Sequence, residues 1–317
     1  MSGQDVAQQQ LGQPPADVPQ AEQDDLRLWS VTTILDVLDS PGLTFWACER
    51  AALQAVAWAD SLPRRLQEDG QAAVVKAIRD ARFRPPADRL SDARLGTVVH
   101  SAAEQYALTG TRPTTAELEE MVARQAPQGA PAELPAQEAA VADKMLDRFD
   151  EWLAQFQPSY SATEVAVYSP TYGYAGTADA FLTIDGTRFL ADYKTKREPW
   201  DGKGNPKRPY PDTALQLAAY ANAELAAVWR PRRTEVFRRR YYLLGPAEQA
   251  LAVPVPEVDA GLCLVMTTEY CTAYPMRIDP EVHRAFLYTL EVARFQHETA
   301  RSVVGDQLVP PTGRGTA

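Results

Sequence analysis

The chain has 317 residues, of which 45% are hydrophobic and 23% are charged, and its formal net charge at pH 7 is −10. This length and apolar content suffice for a sizeable core and argue against a disordered or fibrous protein. No apolar run approaches the roughly 20 residues that span a bilayer, and residues 1–25 lack the basic and apolar regions of a signal peptide. We therefore expect a cytoplasmic protein without a membrane partner.

Cysteine spacing and the lack of nucleotide motifs restrict the possible cofactors. Cys48, Cys263 and Cys271 are too widely spaced for a disulfide framework or a four-thiolate site, which favours structural thiols. The sequence contains neither GxxxxGK nor GxGxxG, so it indicates no nucleotide-driven motor and no dinucleotide site. Any motor is expected to be a partner protein.

Positive charge is concentrated in one segment. Residues 188–240 hold 13 Lys and Arg against 6 Asp and Glu, so this segment carries +7 and the remainder carries −17. A local basic stripe binds a polyanion even when the net charge is negative. The alternative is that these charges form ordinary solvated surfaces.

The pattern of residues predicts a helical half followed by a sheet. Residues 1–25 contain seven Gln, three Pro and no Lys or Arg, which predicts a disordered tail, and 309–317 are expected to be flexible. Apolar spacing and capping residues predict helices at 44–60, 91–108, 115–125, 133–156, 212–229 and 279–304. β-Branched and aromatic residues predict strands at 165–168, 175–184, 187–194, 236–244 and within 262–278.

This order of elements predicts an α/β fold in which a central mixed β-sheet is flanked by helices. We expect a single domain over 26–308, mainly helical in 26–160 and containing the sheet core and a closing helix in 161–308.

One predicted hairpin brings acidic residues together. Asp185-Gly186 is the preferred centre of a two-residue type I′ turn, and this turn fixes the register of its strands. Asp179 then lies opposite Asp192, with Cβ atoms about 4.5–5.5 Å apart, and Lys194 shares the face of Asp192. Because opposed carboxylates repel, the arrangement indicates either a bridging divalent cation or a hairpin exposed to solvent.

Other polar residues are positioned to join this group. Glu164 begins the preceding strand, and His100 lies on a predicted helix. Gln216 and Tyr220 are four residues apart, so they share one helix face just after the basic loop.

Together these residues resemble the RecB-like branch of the PD-(D/E)XK nucleases, which includes viral and CRISPR-associated exonucleases. The matching segments, in the order of the family, are GTVVH at 96–100, Glu164, GTAD at 176–179, DYK at 192–194 and 216–220. The resemblance covers about 95–220 and implies a restriction-endonuclease-like core. Because the iron–sulfur members of the branch use four cysteines and this chain has three, no iron–sulfur cluster is expected.

The resemblance implies hydrolysis of phosphodiester bonds with one or two Mg²⁺ or Mn²⁺ ions. The implied catalytic residues are Glu164, Asp179, Asp192 and Lys194. The implied metal ligands are His100, Glu164, Asp179, Asp192 and the main-chain carbonyl of Tyr193. Adjacent carboxylates favour the charged form of Lys194, so we expect it to stabilise developing negative charge rather than act as a general base.

A basic loop is expected to hold the DNA backbone. The predicted DNA-binding residues are Lys196, Arg197, Lys203, Lys207 and Arg208, with Gln216 and Tyr220 either touching DNA or bracing Lys194. Residues 200–209 are predicted to be mobile and to fold over the DNA. Each assignment has a structural alternative: a core histidine, a surface carboxylate, helix packing or ordinary loop charge.

The leading hypothesis is therefore a metal-dependent DNA exonuclease that acts on ends or single strands in recombination, repair or phage genome processing. Its expected location is the cytoplasm of a bacterial or phage-infected cell, with a helicase, annealing protein or other recombination partner. The alternatives are an endonuclease of the same superfamily, a non-catalytic DNA-binding or assembly subunit, and an interaction protein with a coincidental hairpin. The intact set of Glu164, Asp179, Asp192 and Lys194 argues against a decayed, non-catalytic copy.

Overall fold

A mixed β-sheet organises the part of the chain that the computed structural model describes, namely residues 25–38, 41–81, 90–227, 229–236 and 239–307. Its strands in these residues are β1 (Leu26–Ser30), β2 (Ser159–Ser169), β3 (Tyr174–Ile184), β4 (Thr187–Thr195), β5 (Leu225–Ala227), β6 (Arg232–Val236), β7 (Arg239–Leu244), β8 (Val253–Pro254), β9 (Ala260–Met266) and β10 (Cys271–Met276). The order across the sheet is β10-β9-β4-β3-β1-β7-β6, while β2 pairs with β3 and β5, and β5 pairs with β8.

Helices cover both faces of this sheet. In the described residues they are α1 (Val31–Leu35), α2 (Pro41–Ala57), α3 (Leu62–Asp69), α4 (Gln71–Ala81), α5 (Asp92–Thr109), α6 (Thr115–Gln125), α7 (Leu134–Phe156), α8 (Asp212–Ala221), α9 (Pro246–Leu251) and α10 (Pro280–Arg294), with a 3₁₀ turn at Ala59–Ser61 and a π-helical turn at Phe295–Thr299. The apolar residues of α5 and α7 form one core with β3, β4 and β9. Those of α1, α8 and α10 form a second core on the other face. The predicted mixed sheet flanked by helices, with a restriction-endonuclease-like core, is confirmed.

One edge of β3 serves two different strands. β2 occupies the other edge of β3 along nearly its whole length. On the shared edge, β1 pairs with Tyr174 and Ala175, whereas the pairing with β4 begins at Ala180. Residues 176–179 therefore lie in a fork, where β1 and β4 separate and leave main-chain groups of the sheet without strand partners.

The type I′ turn predicted at Asp185-Gly186 is confirmed. Asp185 has φ +47° and Gly186 has φ +78°, as that turn requires of both central residues. The register also follows the prediction from the Ile184–Thr187 pair to the Ala180–Ala191 pair. The ladder ends there, one position before Asp179 and Asp192, so these two residues do not form the regular cross-strand pair that was expected.

One further prediction of secondary structure was wrong. The helix predicted over 212–229 ends at Ala221, where the Asn222 amide donates to the Ala218 carbonyl. The alanines that follow form β5 against β2, because burial in the sheet outweighs their helix propensity. The strand predicted at 236–244 is confirmed over Arg239–Leu244, where β7 pairs with β6 in a hairpin that was not predicted.

The predicted terminal tails, 1–25 and 309–317, lie outside the described residues except for Asp25, which pairs with Arg232. None of the described helices has the length and apolar character needed to cross a bilayer.

Two glycines allow helices to approach the fork closely. A Cβ at Gly96 on α5 would lie 3.0 Å from Thr195 Oγ1 at the end of β4. A Cβ at Gly176 on β3 would lie 2.2 Å from Cε1 of the Tyr220 ring on α8. Both glycines belong to segments that the sequence singled out, and here they set how near the two helical layers come to the carboxylates.

Replacement of Gly176 by Ala is expected to destabilise the fold by about 1–3 kcal/mol, because the buried Tyr220 ring has to move. Thermal melts measure the effect. Gly202→Ala is the matched control, since a Cβ there has nothing within 4 Å. Equal melting temperatures for both variants would contradict the proposed packing.

Candidate active site

The carboxylates predicted to be catalytic lie at the fork. Asp192 on β4 is only 2% exposed. The Asp179 carboxylate accepts a hydrogen bond from the main-chain N–H of Tyr193 at 2.6 Å, so it takes the position of the missing strand partner. This bond also places the Tyr193 peptide, whose carbonyl was a predicted ligand, beside Asp179.

Lys194 and Asp192 form a buried ion pair that Gln216 completes. Lys194 Nζ lies 3.0 Å from Asp192 Oδ1 and 2.8 Å from Oδ2. The Gln216 side chain accepts from Lys194 Nζ at 3.3 Å and donates to Asp192 Oδ1 at 2.7 Å. Oδ2 is buried, and its contact with Nζ is an ion pair without the angles of a hydrogen bond. Gln216 therefore braces Lys194, which is one of the two roles expected from the sequence.

The charge state of Lys194 follows from its neighbours. Burial by itself lowers the pKa of Lys194, but the carboxylates of Asp192 and Asp179 outweigh burial and raise this pKa above its ordinary value. Lys194 is therefore a fixed cation at neutral pH. Its geometry favours an electrostatic role over that of a general base.

Three acidic residues of the site, Asp179, Glu164 and Glu104, are held in unfavourable surroundings. Burial first, and then Asp179 and Glu104, raise the pKa of Glu164 to about 7. Burial raises the pKa of Asp179, with Asp192 adding to the effect and His100 opposing it. Burial and Asp179 likewise raise the pKa of Glu104. The cluster thus holds more negative charge than Lys194 alone balances.

Backbone geometry brings Glu164 into this cluster. The β2–β3 ladder pairs Thr163 with Ala180 and Val165 with Ala178, so Glu164 lies opposite Asp179. Glu164 has φ +49°, a left-handed conformation that is strained for a residue with a side chain and that clusters at functional sites. The strain is located at the residue that supplies the third carboxylate.

His100 and Glu104 enter the site from α5. His100 Nδ1 lies 3.7 Å from Asp179 Oδ2. Glu104 is one helical turn further along the same face. The four-residue spacing puts Glu104 on the same helix face as His100.

The donor set fits a hard divalent cation. Carboxylate oxygens are the ligands that Mg²⁺ and Mn²⁺ prefer, and an imidazole favours Mn²⁺. The several carboxylates gathered around Asp179 favour binding of an additional cation. Within the part of the chain that the structure describes, no three His, Cys, Asp or Glu side chains converge closely enough to hold a metal ion. The site thus has suitable ligands that are not gathered into a coordination shell.

Two of the side chains predicted to bind DNA have partners inside the protein. Tyr220 is only 3% exposed, with its ring packed against Gly176, so it supports the site from behind. The guanidinium of Arg197 pairs with the buried Glu138 at 2.6 Å and with Asp92 at 3.3 Å. Because breaking a buried ion pair is costly, Arg197 anchors the loop to α7.

The remaining basic residues lie on a loop, 196–211, which we call the basic loop. It carries Lys196, Lys203, Lys207 and Arg208. The expectation that 200–209 are mobile is not met by the contacts observed. Tyr270 donates a hydrogen bond to the Pro199 carbonyl at 2.6 Å, and the Asp201 carboxylate accepts from the N–H groups of Lys203 and Asn205, each at 2.8 Å.

Sequence reasoning missed Arg233 as a specific member of the site. Its guanidinium donates to Thr177 Oγ1 at 2.8 Å and lies over the Tyr242 ring at 4.9 Å. Arg233 is also close enough to Glu164 to oppose the rise in the pKa of that residue. Its place depends on the β6–β7 hairpin, which was not predicted, so only its position in an Arg-rich segment gave any signal.

The three cysteines lie on separate elements. Cys48 is exposed on α2, Cys263 is buried on β9, and Cys271 begins β10. Burial raises the pKa of Cys263 and of Cys271 to about 12, which disfavours the thiolate form that ligates metals.

Comparisons with known proteins point to one superfamily. The model of the PD-(D/E)XK nuclease superfamily matches residues 74–303, more than half of the chain. No curated protein matches. Two solved structures are similar: "Crystal structure of SSO0001", at 12% identity over 68% of this chain and 80% of that chain with a TM-score of 0.27, and "Crystal Structure of LHK-Exo in complex with dAMP", at 14% identity over 67% and 97% with a TM-score of 0.25. At these TM-scores neither likeness bears on fold or function.

The raised pKa of Glu164 predicts how stability depends on pH without metal. The folded protein binds this proton more tightly than the unfolded chain does, so the free energy of unfolding falls as pH rises from about 5 to about 8. Glu164→Gln, which lacks the charge, is expected to show a shallower fall and to be more stable than wild type at the upper pH. Urea unfolding in EDTA measures both.

Glu68→Gln, at an exposed position on α3, is the control with the same change of charge. It is expected to follow wild type. A Glu164→Gln variant whose stability falls as steeply as that of wild type would contradict the proposed acidic cluster.

Proposed function

The chain belongs to the PD-(D/E)XK nuclease superfamily, and from this premise we propose that it is a metal-dependent DNA exonuclease of the RecB-like branch, with its nuclease domain over 26–308. The observation that carries the proposal is the buried Lys194–Asp192–Gln216 network beside the carboxylates of Asp179 and Glu164. An ion pair with a purely structural role does not require additional carboxylates around it. A phosphodiesterase that uses a divalent cation requires them as metal ligands.

The residues proposed to hold the metal are Asp179, Asp192, Glu164, His100 and the Tyr193 carbonyl. Bound Mg²⁺ or Mn²⁺ supplies an activated water and neutralises charge on the phosphate and the leaving oxygen. Burial, and then repulsion between the carboxylates, raises the pKa of Asp179 and of Glu164.

Lys194 has the properties of a preorganised cation. Asp192 and Gln216 fix its ammonium group before any substrate arrives, so no reorganisation is needed when negative charge develops on the phosphate. Gln216 is a positioning residue, because it contacts both members of the pair and holds their relative orientation. Arg233, which interacts with Glu164 and donates to Thr177, is proposed to contact a non-bridging phosphate oxygen.

The preference for ends rests on the resemblance to RecB-like exonucleases. Lys196, Lys203, Lys207 and Arg208 on the basic loop are proposed to hold the DNA backbone. A role in recombination, repair or phage genome processing, with a recombination partner in the cytoplasm of a bacterial or phage-infected cell, completes the proposal.

End-labelled linear, single-stranded and circular DNA with Mg²⁺, Mn²⁺ or EDTA tests this function. Wild type is expected to degrade linear but not circular DNA, and only with metal. Lys194→Ala is expected to lower kcat at least about 100-fold, the usual cost of removing one preorganised electrostatic contact. Lys144→Ala, an exposed lysine on α7, is the matched control and is expected to retain activity.

Cleavage of circular DNA would contradict the proposed exonuclease and indicate an endonuclease. Lack of cleavage by well-folded wild type in either metal would overturn the proposed activity and favour a DNA-binding subunit. Equal activity of Lys194→Ala and wild type would remove the lysine from the mechanism.

Salt dependence tests the proposed backbone contacts. Each lysine that neutralises a phosphate adds about 1 to the slope of log affinity against log salt concentration. Lys203→Ala, measured in EDTA, is therefore expected to lower that slope by about 1, whereas Lys144→Ala leaves it unchanged. An unchanged slope in Lys203→Ala would remove Lys203 from the contact surface.

A further inference from the structure

A cleft of about 820 Å³ opens between the basic loop and β10. This volume lies within the range of about 300–1,000 Å³ that is typical of ligand sites. The residues that define its chemistry are three cations and two aromatic rings: Lys196, Lys207, Arg208, Tyr210 and Tyr274. We call this feature the aromatic cleft.

Two cations of the aromatic cleft each lie over an aromatic ring. Lys196 Nζ lies 4.1 Å from the centroid of the Tyr210 ring, and the Arg208 guanidinium carbon lies 5.5 Å from that of Tyr274. Tyr210 is nevertheless 59% exposed, so its ring keeps open surface for a planar ligand. Asp201, the acidic residue that lines the cleft, is engaged by the N–H groups of its own loop.

The backbone of the basic loop is held in place. Tyr270, just before β10, donates to the main-chain carbonyls of Pro199 and Lys207, at 2.6 and 3.3 Å. Trp200 packs edge-on against Tyr270 and bridges to Pro206. A loop that is already ordered costs less free energy to fix when a ligand binds, and this preorganisation favours a binding role.

The aromatic cleft is close to the active site along the chain. Lys196 follows Lys194 by two residues, about 7 Å of extended chain. The two lysines interact, because burial lowers the pKa of Lys196 and the charges of Lys194 and Lys207 lower it further. Tyr210 lies just before α8, the helix that carries Gln216.

We propose that the aromatic cleft binds the bases of single-stranded DNA, with Tyr210 and Tyr274 as stacking residues and Lys196, Lys207 and Arg208 on the adjoining phosphates. This inference rests on the proposed nuclease function and deepens it by naming the strand state and the residues that select it. Duplex DNA presents phosphates but keeps its base faces stacked inside the helix. Only an unpaired strand satisfies both the cations and the rings.

Stacking on aromatic side chains is tolerant of sequence, because every base has a π-face. The lining offers phosphate-binding cations, while base edges are read by fixed patterns of donors and acceptors. The aromatic cleft therefore selects strandedness rather than sequence.

The test is the affinity of fluorescein-labelled oligothymidylate, measured by anisotropy in EDTA so that no cleavage occurs. Tyr210→Leu and Tyr274→Leu are each expected to weaken binding about 5- to 100-fold, the usual contribution of one stacked base. Tyr210→Phe and Tyr274→Phe keep the ring and are expected to bind like wild type. Tyr288→Leu, a 67% exposed tyrosine on α10, is the control outside the cleft.

A second ligand separates stacking from charge. An abasic strand of the same length keeps the phosphates but lacks the bases, so the Leu variants and wild type are expected to bind it equally. Duplex affinity is likewise expected to stay within about twofold of wild type. Thermal melts of each variant report folding.

Three outcomes would overturn the inference: no binding of single strands by wild type, unchanged binding by both Leu variants, or an equal loss for abasic and normal strands. The cleavage assay is separate. If single strands bind through the tyrosines but no metal supports cleavage, the nuclease proposal fails and the aromatic cleft stands. If cleavage occurs without dependence of binding on the tyrosines, the reverse holds.

Discussion

The architecture of the site depends on one constraint, that a single edge of β3 pairs with two strands in turn. β1 takes the first part of this edge and β4 takes the last, so 176–179 have no strand partner there. Unpaired main-chain groups inside a protein are costly. The Asp179 carboxylate meets part of this need by accepting the Tyr193 N–H. The same feature that interrupts the sheet therefore positions an acidic side chain where Asp192 and Glu164 also arrive.

The close approach of helices α5 and α8 keeps several carboxylates buried around one lysine. The raised pKa values of Asp179, Glu164 and Glu104 show that one lysine does not balance the cluster. Burial is nevertheless kept by the glycines that let α5 and α8 approach the fork. The concentrated charge thus lowers the stability of the fold, as is typical of sites where strain and repulsion serve a function.

The sequence correctly predicted features that depend on residues close together in the chain. Asp185-Gly186 fixed the turn and register, because only certain residues tolerate two positive φ angles in succession. Residues 225–227 were misassigned, since pairing with β2 is a long-range effect that helix propensity does not contain. The internal partners of Arg197 and Tyr220 were not predicted, for a related reason. The sequence shows the charge of Arg197 and the helix face of Tyr220. The partner that buries each side chain comes from a distant segment, which the sequence does not show.

Helix α8 connects the chemistry of the site to the surface beside it. Tyr210 precedes this helix, Gln216 on it orients Lys194 and Asp192, and Tyr220 fills the space above Gly176. A ligand that packs against Tyr210 is thereby placed relative to Lys194 by one short, rigid segment. Since a displacement of about 1 Å in the position of a reacting group costs as much as 100-fold in rate, such a direct structural link favours precise positioning of a bound ligand. Helix α8 thus links the aromatic cleft to Lys194 and Asp192 through Gln216, only six residues after Tyr210.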